Sequence, residues 1–191
     1  MLSDLIRENR SYRRFYQDVA INPDELKGFV EMARLSASAR NMQSLKYVIS
    51  ATPEMNAKIF PTLAWAGYLK DWPGPAEGER PSAYIVVMND KSLSNNYFCD
   101  EGIAAQSILL AATEKGYGGC MVASIKIKEL RGVLDLPDHL DILLVIALGK
   151  PRETVVIEKV GKDGDIKYWR DSDQVHHVPK RSLDELVYKV L

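Results

Sequence analysis

The sequence predicts a single α+β domain in which helices surround a central sheet. Residues 84–88 and 142–148 are runs of consecutive apolar residues, typical of strands that are buried on both faces. Residues 103–112 are apolar nearly all round at helical spacing, which indicates a helix that is covered on most sides. A chain of 191 residues is the size of one domain. One domain is therefore expected over residues 1–191, with 153–191 as a C-terminal arm.

The first part of the chain alternates short helices with one strand. Ser3 can cap a first helix, and Asn-Pro-Asp-Glu at 22–25 combines a capping side chain, an early proline and a glutamate, which marks a second helix start. Residues 46–51 are predicted to form a strand that ends at the following Thr-Pro. A helix is expected over 54–60.

Residues 65–81 are predicted to form a long loop, because proline and glycine interrupt any regular pattern there. A loop of this length within a compact domain is more often functional than neutral. Its aromatic side chains, Trp65, Tyr68 and Trp72, have two interpretations. They cover a flat ligand in a substrate-binding role, or they attach the loop to the body of the protein.

The second part of the chain supplies the central elements. A helix is expected from residue 100 or 101 to 116, and an amphipathic helix over 126–134. The strand at 142–148 is expected to stop at the Gly-Lys-Pro of 149–151. A small monomer has little room to surround the first of these helices, so a homodimer is expected. The polar tail suggests an arm that reaches the partner subunit.

Composition and charge argue against several classes of function. The formal net charge of −1 gives no electrostatic reason to expect binding to nucleic acid or to an anionic membrane. Cys99 and Cys120 are too few for a disulfide framework and fit a reducing compartment. The first residues lack the apolar run of a signal peptide, and no stretch approaches the length of a membrane span. A cytoplasmic protein is therefore expected.

Two polar clusters carry the functional signal. The segment 10–14, Arg-Ser-Tyr-Arg-Arg, places three guanidiniums and a serine hydroxyl close together, and planar bidentate donors match the oxygens of a phosphate. Ser38, Asn41 and Gln43 add hydroxyl and amide groups that are able to read the edge of a flat heterocycle. Together the two clusters predict a site for an aromatic cofactor that carries a phosphate.

Other chemistries are less well supported. The glycines of 116–119 follow a helix and precede apolar residues, which inverts the context of a Rossmann fingerprint. His176 and His177 are expected on opposite sides of an extended chain, where they make a poor chelate, so no metal site is expected. Cys120 beside the glycines is more typical of a small buried residue than of a nucleophile.

The order of these motifs resembles the flavin-dependent nitroreductase family. Arg-Ser-x-Arg-x-Phe at 10–15 is followed by Ser-x-x-Asn-x-Gln at 38–43. Residues 102–112 resemble the family's central helix, 116–121 the glycine turn after it, and the Pro-Lys-Arg of 179–181 its terminal basic pair. The likeness covers nearly the whole chain. The chain departs from the family pattern in two loop positions, with alanine at 37 and serine at 44 where the family often has proline.

The resemblance implies a central mixed, largely antiparallel sheet wrapped by helices, in an intertwined homodimer with FMN sites at the interface. It implies that Arg10, Ser11 and Arg13 hold the phosphate and ribityl chain, with Arg13 nearer the pyrimidine ring. Lys180 and Arg181 would complete the phosphate neutralisation from the arm, with Lys150 and Arg152 as rivals for that role.

The resemblance also implies which two segments of the chain contact the flavin ring. Asn41 would hydrogen-bond the isoalloxazine edge, with Gln43 beside it, and Ala37 with Ser38 would touch the flavin of the other subunit. The backbone of Ala123 and Ser124, which follow the glycine turn, would meet the N5 edge. No side chain is expected to be catalytic, because flavin N5 carries the chemistry.

The implied activity is hydride transfer from NAD(P)H through FMN to flat, electron-poor acceptors such as nitroaromatics, quinones and conjugated alkenes, by a ping-pong mechanism. Two alternatives stay open. One is a specialised enzyme on the same fold that consumes its flavin. The other is a regulatory or storage dimer that binds flavin without turnover.

Overall fold

A five-stranded sheet with helices on both faces organises the chain, which the computed structural model describes from residue 1 to residue 191. The helices are α1 Leu2–Glu8, α2 Pro23–Leu35, α3 Pro53–Ile59, α4 Asp100–Glu114, α5 Ile127–Leu134 and α6 Leu183–Leu186. The strands are β1 Phe15–Tyr16, β2 Leu45–Ser50, β3 Ala83–Asp90, β4 Gly118–Val122, β5 Leu140–Pro151, β6 Val155–Lys159, β7 Trp169–Arg170 and β8 His176–Lys180. Short 3-10 turns occupy Ala39–Asn41 and Phe60–Thr62.

Every pairing in the main sheet is antiparallel, and β5 is its longest strand. The order is β1-β5-β3-β2, and β4 also pairs with β5. Strand β5 therefore contacts three neighbours: β3 along most of its length on one side, and β4 and then β1 on the other. The predicted α+β fold with a largely antiparallel central sheet is confirmed.

Strand β3 separates two hydrophobic cores. All eight of its residues are buried, as the unbroken apolar run predicted. Ile85 and Val87 face the core beneath α2 and α4, whereas Tyr84, Val86 and Met88 face the core beneath α3 and α5. The alternation follows from the two-residue period of a strand, which sends successive side chains to opposite faces.

The predicted capping residue is correct for helix α2 and wrong for helix α1. Asn22 accepts a hydrogen bond from the Asp24 amide at 2.8 Å at the start of α2. Helix α1 is capped by Met1, so the expected role of Ser3 is wrong. The Met1 ammonium lies 2.8 Å from the Asp4 carboxylate, and Ser3 lies inside the first turn, where its side chain is not in the capping position.

Strand β5 continues through the Gly-Lys-Pro segment that was expected to end it. Lys150 and Pro151 pair with Tyr16 and Phe15 of β1, a strand that the sequence did not predict. At Gly149 a Cβ atom would lie 2.9 Å from the Phe15 ring. The glycine is therefore needed because Phe15 packs directly on the strand, and pairing with β1 overrides the local turn signal.

The C-terminal arm has a fold of its own. Strand β8 pairs in parallel with β6 and antiparallel with β7. His177 of β8 lies between two carboxylates, with Nδ1 2.6 Å from Glu158 and Nε2 3.1 Å from Asp171. Its ring also stacks on Trp169 at a centroid distance of 4.1 Å. These contacts make the arm an ordered sheet rather than an extended tail.

Helix α4 is less enclosed in a single chain than its apolar sequence predicts. Ala104, Ala105 and Ile108 are buried against α2 and the sheet, whereas Ile103 is 40% exposed. One side of the helix is thus left partly uncovered.

Both cysteines are free, Cys99 exposed and Cys120 buried. No helix is long and apolar enough to cross a membrane.

Candidate functional site

A cavity of about 330 Å³ lies where the first polar cluster meets the C-terminal arm. Its lining residues are Asn9, Arg10, Ser11, Arg13, Tyr168, His176, Val178 and Lys180. The segment after α1 is held there by β4: Ser11 bridges Gly119, and the Tyr12 amide donates to the Gly119 carbonyl at 3.0 Å. We call this space the arginine cavity.

The arginine cavity is strongly cationic. Arg10, Arg13 and Lys180 contribute three positive charges, and none of the eight lining residues is acidic. The Arg10 guanidinium donates through NH2 to the Ile6 carbonyl at 2.7 Å, while its buried Nε has no partner in the protein. Charged donors without acceptors favour an anionic ligand. The donor set therefore fits the phosphate of a nucleotide-like cofactor.

His176 and Tyr168 fix the position of Arg13. Burial, together with the Arg13 charge, lowers the pKa of His176 to about 4. The imidazole is therefore neutral at pH 7, and its Nε2 lies 3.2 Å from the Arg13 guanidinium. The Tyr168 ring lies on the guanidinium with its centroid 4.7 Å from Cζ. Behind these groups, the buried Glu153 carboxylate accepts the Arg13 amide and an Arg170 hydrogen bond at 2.8 Å.

A second cavity of about 180 Å³ shares Arg13 and Tyr168 with the arginine cavity. Most of its lining residues are hydrophobic, and they include Ala123 and Ser124 of the chain after β4. The Ser124 carbonyl accepts the Ala64 amide at 2.9 Å, which joins this segment to the long loop. We call it the β4 cavity. Because Arg13 borders both, one ligand with an anionic end and a flat end could contact both cavities.

The second polar cluster lies in a different place. Ala37, Ser38 and Gln43 line a separate cavity of about 160 Å³, which shares no residue with the two cavities above. The buried Asp100 carboxylate accepts the Ser38 hydroxyl at 2.7 Å and the Ala39 amide at 2.9 Å. Asn41 has a positive φ of 55° in the same loop. Within one chain, the two predicted halves of the site do not meet.

Of the four basic residues considered for completing the phosphate site, only one lines the arginine cavity. Lys180 reaches the arginine cavity, whereas Arg181 lies 3.7 Å from Glu185 on the following turn. Lys150 donates to the Gly116 carbonyl at 3.0 Å. Arg152 lies 3.8 Å from Glu79, a carboxylate that also accepts the Arg14 guanidinium at 2.7 Å.

The loop aromatics also separate into two groups. Trp65 lines the β4 cavity and stacks on Phe60 at a centroid distance of 5.8 Å. Tyr68 instead packs against Tyr168 at 4.9 Å, and the Trp72 ring lies 4.2 Å from the Arg170 guanidinium carbon. These two aromatics connect the loop to the C-terminal arm. They therefore agree with the interpretation in which the aromatics attach the loop to the rest of the protein.

Sequence reasoning missed Tyr168 and His176 as components of the site. The histidine was considered only as a metal ligand, and the tyrosine gave no signal. Both reach the arginine cavity only because β8 pairs with β6 and β7, which brings distant residues of the arm together. An isolated aromatic or imidazole in a polar tail carries no pattern that could reveal this.

Comparison with known proteins agrees with the fold and the motifs. Residues 6–150 match the model of the Nitroreductase family. An inferred NADH dehydrogenase/NAD(P)H nitroreductase from Archaeoglobus fulgidus is 27% identical over 171 residues, which covers 85% of this chain and 90% of that protein. A similarly named protein from Methanothermobacter thermautotrophicus is 27% identical over 157 residues, covering 78% and 77%.

Solved structures share the fold at lower identity. The solved structure of an FMN-dependent nitroreductase from Clostridium difficile R20291 superposes with a TM-score of 0.66 at 23% identity, covering 91% of this chain and 94% of that one. The family match covers most of the sequence, from within α1 to the penultimate residue of β5. This chain therefore belongs to the Nitroreductase family of oxidoreductases.

Proposed function

We propose that this protein is an FMN-dependent oxidoreductase that passes hydride from NAD(P)H to flat, electron-poor acceptors such as nitroaromatics, quinones or conjugated alkenes. The observation that carries the proposal is the convergence of Arg10, Arg13 and Lys180 on one cavity without any acidic residue. The names of the relatives, which mention NAD(P)H and FMN, agree with it.

The residues of the chain bind and orient the cofactor. Arg10, Ser11 and Lys180 would neutralise the phosphate in the arginine cavity, and Ala123 and Ser124 would border the ring in the β4 cavity. When bound, FMN would supply the redox chemistry of hydride transfer in a ping-pong cycle. Arg13 lies between the two cavities, where its positive charge would favour negative charge on the pyrimidine end of a bound flavin.

A second subunit would complete this site. The loop with Ala37, Ser38, Asn41 and Gln43 lies in a cavity separate from the arginine cavity of its own chain. Because the two cavities share no residue, we infer that its hydroxyl and amide groups contact the flavin of another copy. We therefore propose a homodimer in which each flavin is bound by both chains.

The acceptor would stack on the ring next to the long loop. Trp65 is the loop aromatic that borders the β4 cavity, so it is the best candidate for contact with a flat acceptor. Stacking selects by shape more than by hydrogen bonds, so the site suits several acceptor classes.

The direct test is the absorbance spectrum of the purified protein. We expect a yellow protein with one FMN and no FAD per subunit, because the cationic cavity suits one phosphate and no dinucleotide fingerprint is present. Anaerobic NADH or NADPH should bleach the flavin, and a quinone or nitroaromatic should restore its colour.

Each other outcome points elsewhere. A colourless protein that fails to take up added FMN would refute the cofactor assignment. Flavin that stays oxidised with both nicotinamides would indicate a non-catalytic flavin protein. Oxygen-dependent, irreversible loss of flavin absorbance would indicate an enzyme that consumes its flavin.

A further inference from the structure

A third polar cavity, of about 400 Å³, lies at the end of the core between α3 and the start of β3. It shares no lining residue with the arginine cavity or with the β4 cavity. Phe60 borders it and stacks on Trp65 of the β4 cavity, so the two spaces are neighbours separated by aromatic rings. We call it the β3 cavity. Its volume is within the range of pockets that bind small molecules.

Three buried polar atoms of the β3 cavity make no hydrogen bond within the protein. They are Arg80 Nε, Ser82 Oγ and Tyr84 Oη. Ser82 is 7% exposed and Tyr84 is fully buried. Buried polar groups are normally hydrogen-bonded, since burial without a partner loses the hydrogen bonds that water would make. Three such atoms in one cavity indicate a binding site for a ligand with a polar group that can form hydrogen bonds with them.

The three residues approach the cavity from two adjoining segments. The Ser82 amide donates to the Leu148 carbonyl at 3.0 Å, so the pairing of β3 with β5 extends to this residue. Residues two apart in a strand point to the same side, so Ser82 and Tyr84 reach the cavity from one face of the sheet. Arg80 lies in the bend before the strand and lines the same cavity.

The Arg80 guanidinium has no carboxylate partner. Its contact is the face of the Phe60 ring, whose centroid lies 4.4 Å from Cζ. Burial raises the pKa of Tyr84, with the Arg80 charge opposing this change, so the phenol remains a donor at pH 7. A half-buried cation beside two neutral hydroxyls favours a ligand with a negative charge.

The rest of the wall limits the ligand to one charge. Pro53, Ala57 and Phe60 contribute apolar surface, and the exposed Asp18 and Glu77 lie at the rim. The two rim carboxylates oppose any anion and oppose a doubly charged one most strongly, so a single charge close to Arg80 is favoured over two, and the apolar wall favours a compact hydrocarbon body.

The cavity wall is held in place before any ligand arrives. Asn56 donates to the Ser82 carbonyl at 2.7 Å and accepts the Ser50 hydroxyl at 2.7 Å. Gln17 accepts the amides of Gly78 at 2.8 Å and of Arg80 at 3.2 Å. Such fixed donors reduce the entropy cost of binding.

We propose that the β3 cavity is a binding site for a small monocarboxylic acid, whose carboxylate contacts Arg80, Ser82 and Tyr84 and whose apolar body lies against Phe60 and Ala57. The site is separate from the proposed flavin site, and its ligand takes no part in hydride transfer.

The test uses calorimetry on the flavin-loaded protein with cyclohexanecarboxylate as the probe. This saturated acid is chosen because a flat acid would also stack at the proposed acceptor site. We expect saturable binding of the acid, and no binding of cyclohexanecarboxamide or of inorganic phosphate. Arg80→Gln should weaken binding about tenfold or more, the effect of losing a hydrogen bond to a charged group.

Two further variants separate binding from folding. Tyr84→Phe should weaken the acid several-fold while leaving thermal stability unchanged or higher, because the lost hydroxyl has no partner in the protein. Lys27→Gln serves as the control for removal of a positive charge, since Lys27 is exposed and pairs with Asp24 in the first turns of α2. Affinity that is unaffected by Arg80→Gln and Tyr84→Phe, equal binding of the amide, tighter binding of phosphate, or no saturable binding would each overturn the proposal.

Discussion

At the scale of single residues, the site depends on which cations have carboxylate partners. Arg14 pairs with Glu79, and this contact lowers the pKa of the glutamate. The guanidinium of Arg13 faces the Ser11 carbonyl and the neutral His176 instead. A cation that is already paired within the protein has less free energy to contribute to a ligand. Neighbouring arginines should therefore differ in their effect on cofactor binding.

The first prediction compares these arginines. Arg10→Ala and Arg13→Ala should each weaken FMN binding by roughly 1.5–3 kcal/mol, the range for hydrogen bonds to charged groups. Arg14→Ala should have a much smaller effect, because its partner is Glu79. The measurement is flavin fluorescence during titration of the apoprotein with FMN. Equal losses at all three positions would mean that the cluster acts as a diffuse charge.

The second prediction concerns acid. Burial and Arg13 lower the pKa of His176 from 6.5 to about 4. Between pH 6.5 and pH 4, this histidine is therefore protonated in the unfolded chain and neutral in the folded chain. This histidine should therefore remove stability as the pH falls from 6.5 towards 4. Unfolding in urea across that range should show the loss for the natural protein and a smaller loss for His176→Gln.

His177 provides the control for that experiment. Its contacts with Asp171 and then with Glu158 raise its pKa, so the stabilisation is complete below pH 6.5 and is lost as the pH rises through the folded value. His177→Gln should therefore leave the acid-side loss in place and lower stability at acidic and neutral pH. An acid-side loss that persists in His176→Gln and disappears in His177→Gln would reverse the two roles.

At the scale of elements, the Ser38–Gln43 loop is held in an unfavourable backbone conformation. Arg40, Asn41 and Gln43 all have positive φ angles of 52–55°. Each such residue costs about 1 kcal/mol relative to the right-handed region, so other contacts must hold the loop. Those contacts come from Asp100 on α4, and from the Ser38 hydroxyl, which accepts the Gln43 amide at 2.9 Å.

The third prediction follows from this arrangement. Asp100→Ala removes the hydrogen bonds that hold Ser38 and Ala39, so it should loosen the loop. We expect FMN binding to weaken by about tenfold as a result, the size of effect of one lost hydrogen bond to a charged group, although Asp100 has no assigned contact with the cofactor. Hydrogen exchange at residues 38–43 should rise in parallel. Asp24→Ala is the matched control, because Asp24 is also an acid in the first turn of a helix and pairs only with Lys27. Unchanged exchange and affinity in Asp100→Ala would contradict the positioning role.

The sequence was sufficient to predict elements whose signals are local. The buried strands β3 and β5 and the helices α2 to α5 have periodic apolar residues or caps within their own segments. Elements formed by distant pairing were missed: β1 exists because Phe15 and Tyr16 meet the end of β5, and the arm folds because β6 meets β8. The same distinction applies to the site. Arg10 and Arg13 form a local cluster, whereas Tyr168 and His176 reach it only through the fold of the arm.

At the scale of the whole molecule, one apolar face remains partly uncovered. Met32 and Leu35 of α2, Ile103 of α4 and Phe98 are between 40% and 62% exposed. Helices α2 and α4 pack together, as the 2.7 Å contact between the Ser36 and Ser107 hydroxyls illustrates. The loop of the second polar cluster follows directly after α2. We propose that this α2–α4 face joins two copies, because burial there would bring the loop to the partner's flavin.

The last prediction is that dimerisation and flavin binding are lost together. Ile103→Glu should place a charge in the proposed interface while the subunit stays folded, because the side chain is 40% exposed in one chain. Ala105 would be a poor choice, since it is fully buried in the subunit core and a carboxylate there would disrupt folding. Ile127→Glu is the control, because Ile127 is 41% exposed at the start of α5, on the opposite face of the sheet from α4.

Circular dichroism first establishes that each variant is folded, and sedimentation with flavin fluorescence then reports mass and bound FMN. We expect Ile103→Glu to be a folded monomer that has lost FMN, and to regain both dimer and flavin at high protein concentration by mass action. A dimeric Ile103→Glu would place the interface on another face. A folded monomer with tight FMN and full reductase turnover would show that each chain binds its flavin alone.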